Sequence, residues 1–363
     1  MICSRCVMDT SDPEISFDEH GVCNHCRRYA DAAAHELRRD PGELEAVVRE
    51  IEQAGARKDY DCVIGVSGGV DSTYVAHEVK RLGLRPLAVH LDNGWDSELA
   101  IHNIEQALKA LDIDLVTRVL DWDEFRRLQV SFLRASVPDA EIPTDHAILA
   151  ALYDEAARRG IRYILSGDNF ATEAVLPRRW TYGVHDWRYI KHVHRRFAGE
   201  SPASFPHVSR LRLAYLSRLR GIRMIKLLDY LPYVKRDAIE LLERELGWRP
   251  YGGKHYESIY TRFFQGYILP VKFGIDKRKA HLSTLINAGQ TTREEALREL
   301  EQSDYLAEQA AEDRVYVVKK LGLTEAEFDE IMRAPARTYE DYPNHLNQPV
   351  YRALRAVKRR LLG

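Results

Sequence analysis

The stretch Asp61–Ser72, reading DCVIGVSGGVDS, constrains the fold of this 363-residue chain more than any other. Cys62, Val63, Ile64 and Val66 read as a short apolar strand, Ser67-Gly68-Gly69 as a turn, and Asp71-Ser72 as the opening of a helix. A strand running through a glycine turn into a helix N-terminus makes an anion cradle, because unsatisfied N–H groups and the positive end of the macrodipole face one point. Gly68 and Gly69 permit close approach of the backbone to a phosphate, and Ser67 and Ser72 add hydroxyl donors. Asp71 is a poor neighbour for a polyphosphate unless a cation stands between them, which points to Mg²⁺.

The loop is not G-x-x-x-x-G-K-[ST], since both that spacing and its lysine are absent, nor is it G-x-G-x-x-G. SGGVDS at 67–72 instead resembles the pyrophosphate loop of the ATP pyrophosphatases, among them GMP synthetase, NAD synthetase, asparagine synthetase and the tRNA thiolases. The resemblance implies ATP cleaved between its α- and β-phosphates, with AMP left on a substrate oxygen. An ordinary strand-to-helix turn also tolerates two glycines, but the complete S-G-G-x-D-S after an apolar strand favours the nucleotide reading.

The length suggests two domains, or one with large additions, and 45% hydrophobic with 30% charged residues suits a globular chain. A net charge of −2 argues against a nucleic-acid coat. No apolar run is long enough to span a bilayer, and MICSRCVMD lacks a basic-then-apolar signal, so a cytoplasmic location is expected. Four of the five cysteines form two pairs, Cys3-x-x-Cys6 and Cys23-x-x-Cys26, sixteen residues apart. That spacing predicts a structural Cys₄ Zn²⁺ knuckle, with an iron–sulfur cluster as its rival. His25, inside the second pair, is read as a bystander because four thiolates already close the shell. Cys62 is read as a core residue.

Along the chain, residues 27–57 read as a helical connector broken at Asp40-Pro41-Gly42. Helices over 73–82, 97–110 and 122–134 alternate with strands over 85–91 and 114–120, and the alternation predicts a doubly wound, mostly parallel α/β sheet. Ligands of such a sheet sit beyond the carboxyl ends of its strands. Asp92 is therefore a candidate for adenine, ribose or substrate, weighed equally against a plain turn. Thr144 or Asp145 is expected to cap the next helix, and Asp145 and His146 are also candidate substrate contacts. A strand over 162–165 ends in SGDNFATE at 166–173, which resembles the second nucleotide motif of NAD synthetase-type enzymes. On that resemblance Gly167 and Asp168 approach the nucleotide, and Glu173 shares Mg²⁺ with Asp71.

Residues 178–223 hold eleven Lys or Arg against two acids, interleaved with aromatics. Such a stretch suits a small acidic ligand or RNA, and the near-neutral total charge favours the former. A strand over 224–228 and a helix over 234–246 make one more unit. His255, Tyr256 and Glu257 are candidate substrate contacts, and Lys272, Lys277 and Arg278 are expected to clamp the departing pyrophosphate. Residues 291–363 read as amphipathic helices, with a basic end at 352–360.

Taken together, CSRCVMDTSDP at 3–13, SGGVDS, SGDNFATE, and KHYES with KFGIDKR within 254–278 resemble the N-acetyl sugar amidotransferases of bacterial surface-polysaccharide and nonulosonic-acid pathways. The resemblance implies an adenine nucleotide alpha-hydrolase (PP-loop) fold. Its expected parts are a knuckle at 1–30, a connector at 31–58, the ATP domain at 59–250, and a substrate loop with helical region at 251–363. It further implies adenylation of the acetamido oxygen of an activated sugar, expected to be a nucleotide-linked N-acetylated uronic acid, and displacement of AMP by ammonia. With no glutaminase visible in the chain, the ammonia is expected from a partner pair similar to the subunits of imidazole glycerol phosphate synthase. The alternatives are a tRNA thiolase of the same fold and a non-catalytic ATP sensor.

Overall fold

A computed structural model describes residues 1–37, 40–252, 256–302, 305 and 307–348. Its centre is a parallel sheet of β1 (Cys62–Gly65), β2 (Pro86–Asp92), β3 (Asp114–Val119), β4 (Tyr163–Ser166) and β5 (Arg223–Lys226), in the order β3-β2-β1-β4-β5. Val63, Ile64, Ile164 and Leu165 are all fully buried where β1 pairs with β4. Side chains of this size each contribute about 1.5–3 kcal/mol on burial, so the central pair anchors the core.

The chain leaves β1 towards β2 on one side and returns to β4 on the other, so the order reverses between β1 and β4. In open α/β sheets the crevice at that reversal is where ligands sit. Two helices precede the sheet, α1 (Asn24–Glu36) and α2 (Pro41–Gly55). The crossovers are α3 (Val70–Arg81), α4 (Glu98–Leu111), α5 (Trp122–Ala135) and α6 (Ile142–Arg159). Beyond β4 come a single turn α7 (Phe170–Glu173), then α8 (Trp187–Ala198), α9 (Arg210–Ala214) and α10 (Lys235–Leu246). The C-terminal helices are α11 (Ile259–Phe263), α12 (Lys277–Asn287), α13 (Arg293–Glu301), α14 (Ala307–Lys320) and α15 (Glu325–Arg333), with a π-helix, Phe264–Phe273, between α11 and α12.

The expected alternation is present, with ends shifted by at most three residues. One local expectation fails. Neither Thr144 nor Asp145 caps α6, which starts earlier, after Glu141 and with Pro143 in its first turn. Proline fits the first turn because it lacks the N–H that would go unpaired there, so the start moves upstream and Asp145 falls inside the helix. No helix of the described residues is long and apolar enough to cross a membrane.

The N-terminal knuckle docks on α12 and the start of α13. Val7 N–H donates to Ser283 Oγ (3.2 Å), Asn287 Nδ2 to Cys26 Sγ (3.4 Å), and the Arg293 guanidinium to the carbonyls of Cys3 and Cys6 (3.1–3.3 Å). From α1, Tyr29 meets Phe170 of α7 with ring centroids 4.7 Å apart.

Candidate active site

Gly69 ends the loop after β1 as the N-cap of α3, and no side chain caps that helix. Its first-turn N–H groups are thus left for a ligand. The loop is held from below by its own hydroxyls, with Ser67 N–H and Ser67 Oγ each 3.2 Å from Ser72 Oγ. Gly68 has φ +79°, and a Cβ there would stand 2.8 Å from both the Ala100 carbonyl and the Tyr251 hydroxyl. Its carbonyl accepts from Trp248 Nε1 (2.7 Å) and Tyr251 OH (2.9 Å). These two anchors come from far along the chain, and no spacing rule announces them.

The motif after β4 meets this loop directly. A Cβ on Gly167 would lie 3.1 Å from the Asp71 carbonyl carbon and 3.2 Å from Ser72 N. Glycine is what lets the two turns touch across the crevice. Buried Asn169 caps α7 and ties back to the Gly167 carbonyl (3.2 Å). Asp168 is exposed, and its N–H donates to Ser166 Oγ (3.1 Å). The Tyr233 hydroxyl donates to Asp71, and burial together with the charges of Asp71 and Glu173 pushes its acidity far down. Asp71 and Glu173 therefore flank one buried neutral phenol, and two carboxylates beside a polyphosphate make a donor set fit for Mg²⁺. Sequence spacing gave no sign of Tyr233.

Next to Asp168 lies a group of acids around one lysine. Asp139 and Glu141 are buried, Asp139 Oδ2 accepts from Thr181 Oγ1 (2.7 Å) and Tyr182 N–H (3.0 Å), and Lys277 Nζ is 3.3 Å from Glu141 Oε2. The Asp145 side chain is exposed. Desolvation, then the charges of Asp139, Glu141 and Asp168, raise its pKa well above the carboxylate range, with Lys277 opposing. Asp139 and Glu141 belong to no sequence motif.

Other expected residues lie elsewhere. Lys272 donates to the Ile331 carbonyl of α15 and is pushed by burial down to about 8, so it faces the C-terminal helices rather than the loop. Arg278 is bonded to Asp276 (2.9–3.2 Å) and to the carbonyls of Leu300 and Gln302 (3.4 and 2.8 Å), closing the end of α13. Asp92 serves its own turn, accepting from Gly94 N–H at 2.8 Å. The Tyr256 ring lies under the Arg262 guanidinium (5.6 Å), whereas Glu257 Oε1 reaches to 3.4 Å from the position a Gly69 Cβ would take. His255 and the basic segment 352–360 lie outside the described residues.

His146 is fully buried between backbone groups rather than in the crevice. Its Nδ1–H donates to the Val184 carbonyl (2.5 Å), and Nε2 accepts from Val208 N–H (3.2 Å). Burial holds its pKa down to about 4 against an ordinary 6.5. The unfolded chain then binds the extra proton between those values, so stability is full above 6.5 and is lost as pH falls towards 4. That gap corresponds to about 3 kcal/mol. Urea denaturation at pH 4.5, 5.5 and 7 is expected to show this loss, and His146→Gln is expected to flatten it.

The four knuckle cysteines are fully buried, and their sulfurs lie within 4.8 Å of one another, with Cys6 and Cys23 3.7 Å apart. Thiolates around one tetrahedral ion stand about 3.8 Å apart, whereas a four-iron cluster needs more room between its ligands. N–H groups of Arg5, Cys6 and Cys23 point at Cys3 Sγ (3.2–3.4 Å), a thiolate-stabilising shell. The site therefore fits a single metal ion. His25 turns away, with Nε2 2.6 Å from Asp12.

Residues 257–358 match the family model of the LPS biosynthesis protein WbpG-like, C-terminal domain. No curated protein matches the chain. Among solved structures, the NH3-dependent NAD synthetase of Campylobacter jejuni is 15% identical (55% of this chain, 82% of that one, TM-score 0.30). The U34-tRNA thiolase NcsA of Methanococcus maripaludis, solved with its [4Fe-4S] cluster, is 16% identical (83% and 89%, TM-score 0.33). NMN synthetase of Francisella tularensis is 14% identical (62% and 92%, TM-score 0.28). These likenesses are distant, and the fold rests on the sheet order and the loops described above. From residue 257 to 358 the chain is similar to the C-terminal domain of WbpG-like LPS biosynthesis proteins.

Proposed function

We propose that this protein is an ATP-dependent ligase of surface-polysaccharide synthesis that converts the acetamido group of a nucleotide-linked sugar into an acetamidino group. The observation that carries the reading is the contact of Gly167 with the Asp71-Ser72 backbone, which joins two nucleotide motifs at the sheet's reversal. The similarity of residues 257–358 to a WbpG-like domain of LPS biosynthesis supports the substrate class.

The amide oxygen attacks the α-phosphate of ATP, and the α–β bond breaks to release pyrophosphate. The amide carbon now carries AMP as a leaving group. Ammonia adds there, one proton is lost and AMP departs with the former amide oxygen. The α3 N-terminus and the loop hydroxyls hold the phosphates, and Asp71 with Glu173 would hold Mg²⁺, which offsets charge building on the pyrophosphate. Asp145, whose proton affinity is raised, is suited to take the proton that ammonia releases. Lys277 keeps that acidic group from excess charge. Zn²⁺ is assigned to the knuckle as a structural ion, and ammonia is assigned to a partner glutaminase.

A thiolase reading draws on the exposed cations Arg188, Lys191 and Arg195 of α8. Against it, all five cysteines are buried, and burial pushes the Cys62 thiol far from its reactive form. The test incubates the protein with ATP, ammonium and a panel of nucleotide-linked N-acetylated sugars, read by mass spectrometry. A product about one mass unit lighter than its substrate, as oxygen gives way to NH, is expected. AMP formed only with tRNA would favour the thiolase instead.

A further inference from the structure

His90 lies on β2, 7% exposed, directly behind the phosphate loop. Its Nδ1 is 2.9 Å from the carbonyl of Val66, the residue before Ser67, and its Nε2 is 3.1 Å from Asp96 Oδ2. A carbonyl and a carboxylate both only accept, so satisfying both contacts requires a proton on each ring nitrogen. We infer that His90 is an imidazolium clamped between Val66 and Asp96, and that this pair fixes both the position and the charge of the phosphate loop.

The inference rests on the reading that the loop binds phosphate. Sequence motifs do not point to His90, and the loop has no lysine of its own. The charged groups facing the ring are Asp96, from the loop after β2, and Asp92, at the end of its own strand. Burial opposes the charge, but the Asp96 hydrogen bond and attraction, with the Val66 carbonyl and Asp92, hold the ring's pKa above the ordinary value. Glu257, with Asp96, surrounds Tyr251, which itself bonds the Gly68 carbonyl.

Asp96 also sits where the C-terminal segment joins the loop. It bridges Ser258 across a short antiparallel contact, flanked by Ser97 N–H to the Glu257 carbonyl (2.8 Å) and Ile259 N–H to the Trp95 carbonyl (2.9 Å). The dyad thereby connects β1's end, the phosphate loop and the segment that carries Glu257 to Gly69. Protonated, the pair is neutral. Once the ring loses its proton, an uncompensated Asp96 carboxylate stands behind a site for polyanions, and ATP binding weakens by about three- to tenfold. Because the folded pKa is raised, that weakening appears as pH rises above the ordinary histidine range.

Two measurements test this. Nitrogen-15 NMR of the nucleotide-free protein at pH 7.5 is expected to show His90 with both ring nitrogens protonated, a readout independent of any activity. ATP titrations by calorimetry from pH 6 to 9 are expected to show the three- to tenfold weakening in the wild type. Asp96→Asn, whose amide can donate to a neutral ring, is expected to flatten that dependence, and His90→Gln to weaken ATP across the whole range. A neutral His90 at pH 7.5, or an unchanged slope in Asp96→Asn, overturns the inference. Absence of ATP binding in the wild type would instead overturn the nucleotide reading, while the NMR still decides the state of the dyad.

Discussion

Gly68→Ala is expected to lower ATP turnover by about 100-fold, the scale of loss that follows a misplacement of about 1 Å in a reacting group. The native φ of +79° already costs an alanine about 1–2 kcal/mol. Its methyl would also meet the Ala100 carbonyl and the Tyr251 hydroxyl at 2.8 Å. Backbone cannot yield cheaply, so the loop must move, and with it the N–H groups that would hold the phosphates. Gly83→Ala is the control. Gly83 has φ +80° with nothing within 4 Å of a Cβ, so it is expected to suffer the strain alone and keep ATP turnover. Chemical denaturation and steady-state kinetics of the two variants separate strain from displacement. Equal loss of turnover in both would mean that the Gly68 contacts do not matter.

Stripping the metal proposed for the knuckle is expected to give the largest loss of stability. The four buried thiolates have no apolar substitute for the ion, and in small cysteine sites of this kind metal binding is itself the folding free energy. The damage should spread to α12 through Val7–Ser283 and Asn287–Cys26, and to α13 through Arg293. Helix α12 carries Lys277 at its start and places His281 Nδ1 3.2 Å from the Thr172 carbonyl, next to Glu173. Chelation is therefore expected to lower Tm by about 10 °C and to weaken ATP binding as well. Elemental analysis is expected to give one zinc per chain. Several irons per chain with visible absorbance would replace the single-ion assignment by a cluster.

The parts of the site that were legible in the sequence are contiguous ones. Strand, glycine turn and helix N-terminus follow one another from Cys62 to Arg81, so local rules suffice. Gly167 reads as a point of close approach to the nucleotide, whereas its near neighbour in the structure is the Asp71-Ser72 backbone. Residues that converge from distant segments were not legible. Trp248 and Tyr251 bind the Gly68 carbonyl, and Tyr233 binds Asp71, with no periodicity to mark them. The run KFGIDKR shows the limit most clearly. Gly274, at φ +65°, ends the π-helix before Asp276 caps α12, so Lys272 and Lys277 leave the backbone in different directions. Only Lys277 reaches the acids beside Asp168. His146 illustrates the opposite error, because a polar residue near a helix start resembles a ligand until backbone groups from residues 184 and 208 are seen to occupy both nitrogens.

The crevice between β1 and β4 is proposed to cleave ATP between its α- and β-phosphates. Phosphorus-31 NMR of the products formed with Mg²⁺, ammonium and the sugar panel tests it most directly. AMP and pyrophosphate in equal amounts are the predicted result, and ADP with inorganic phosphate would contradict it.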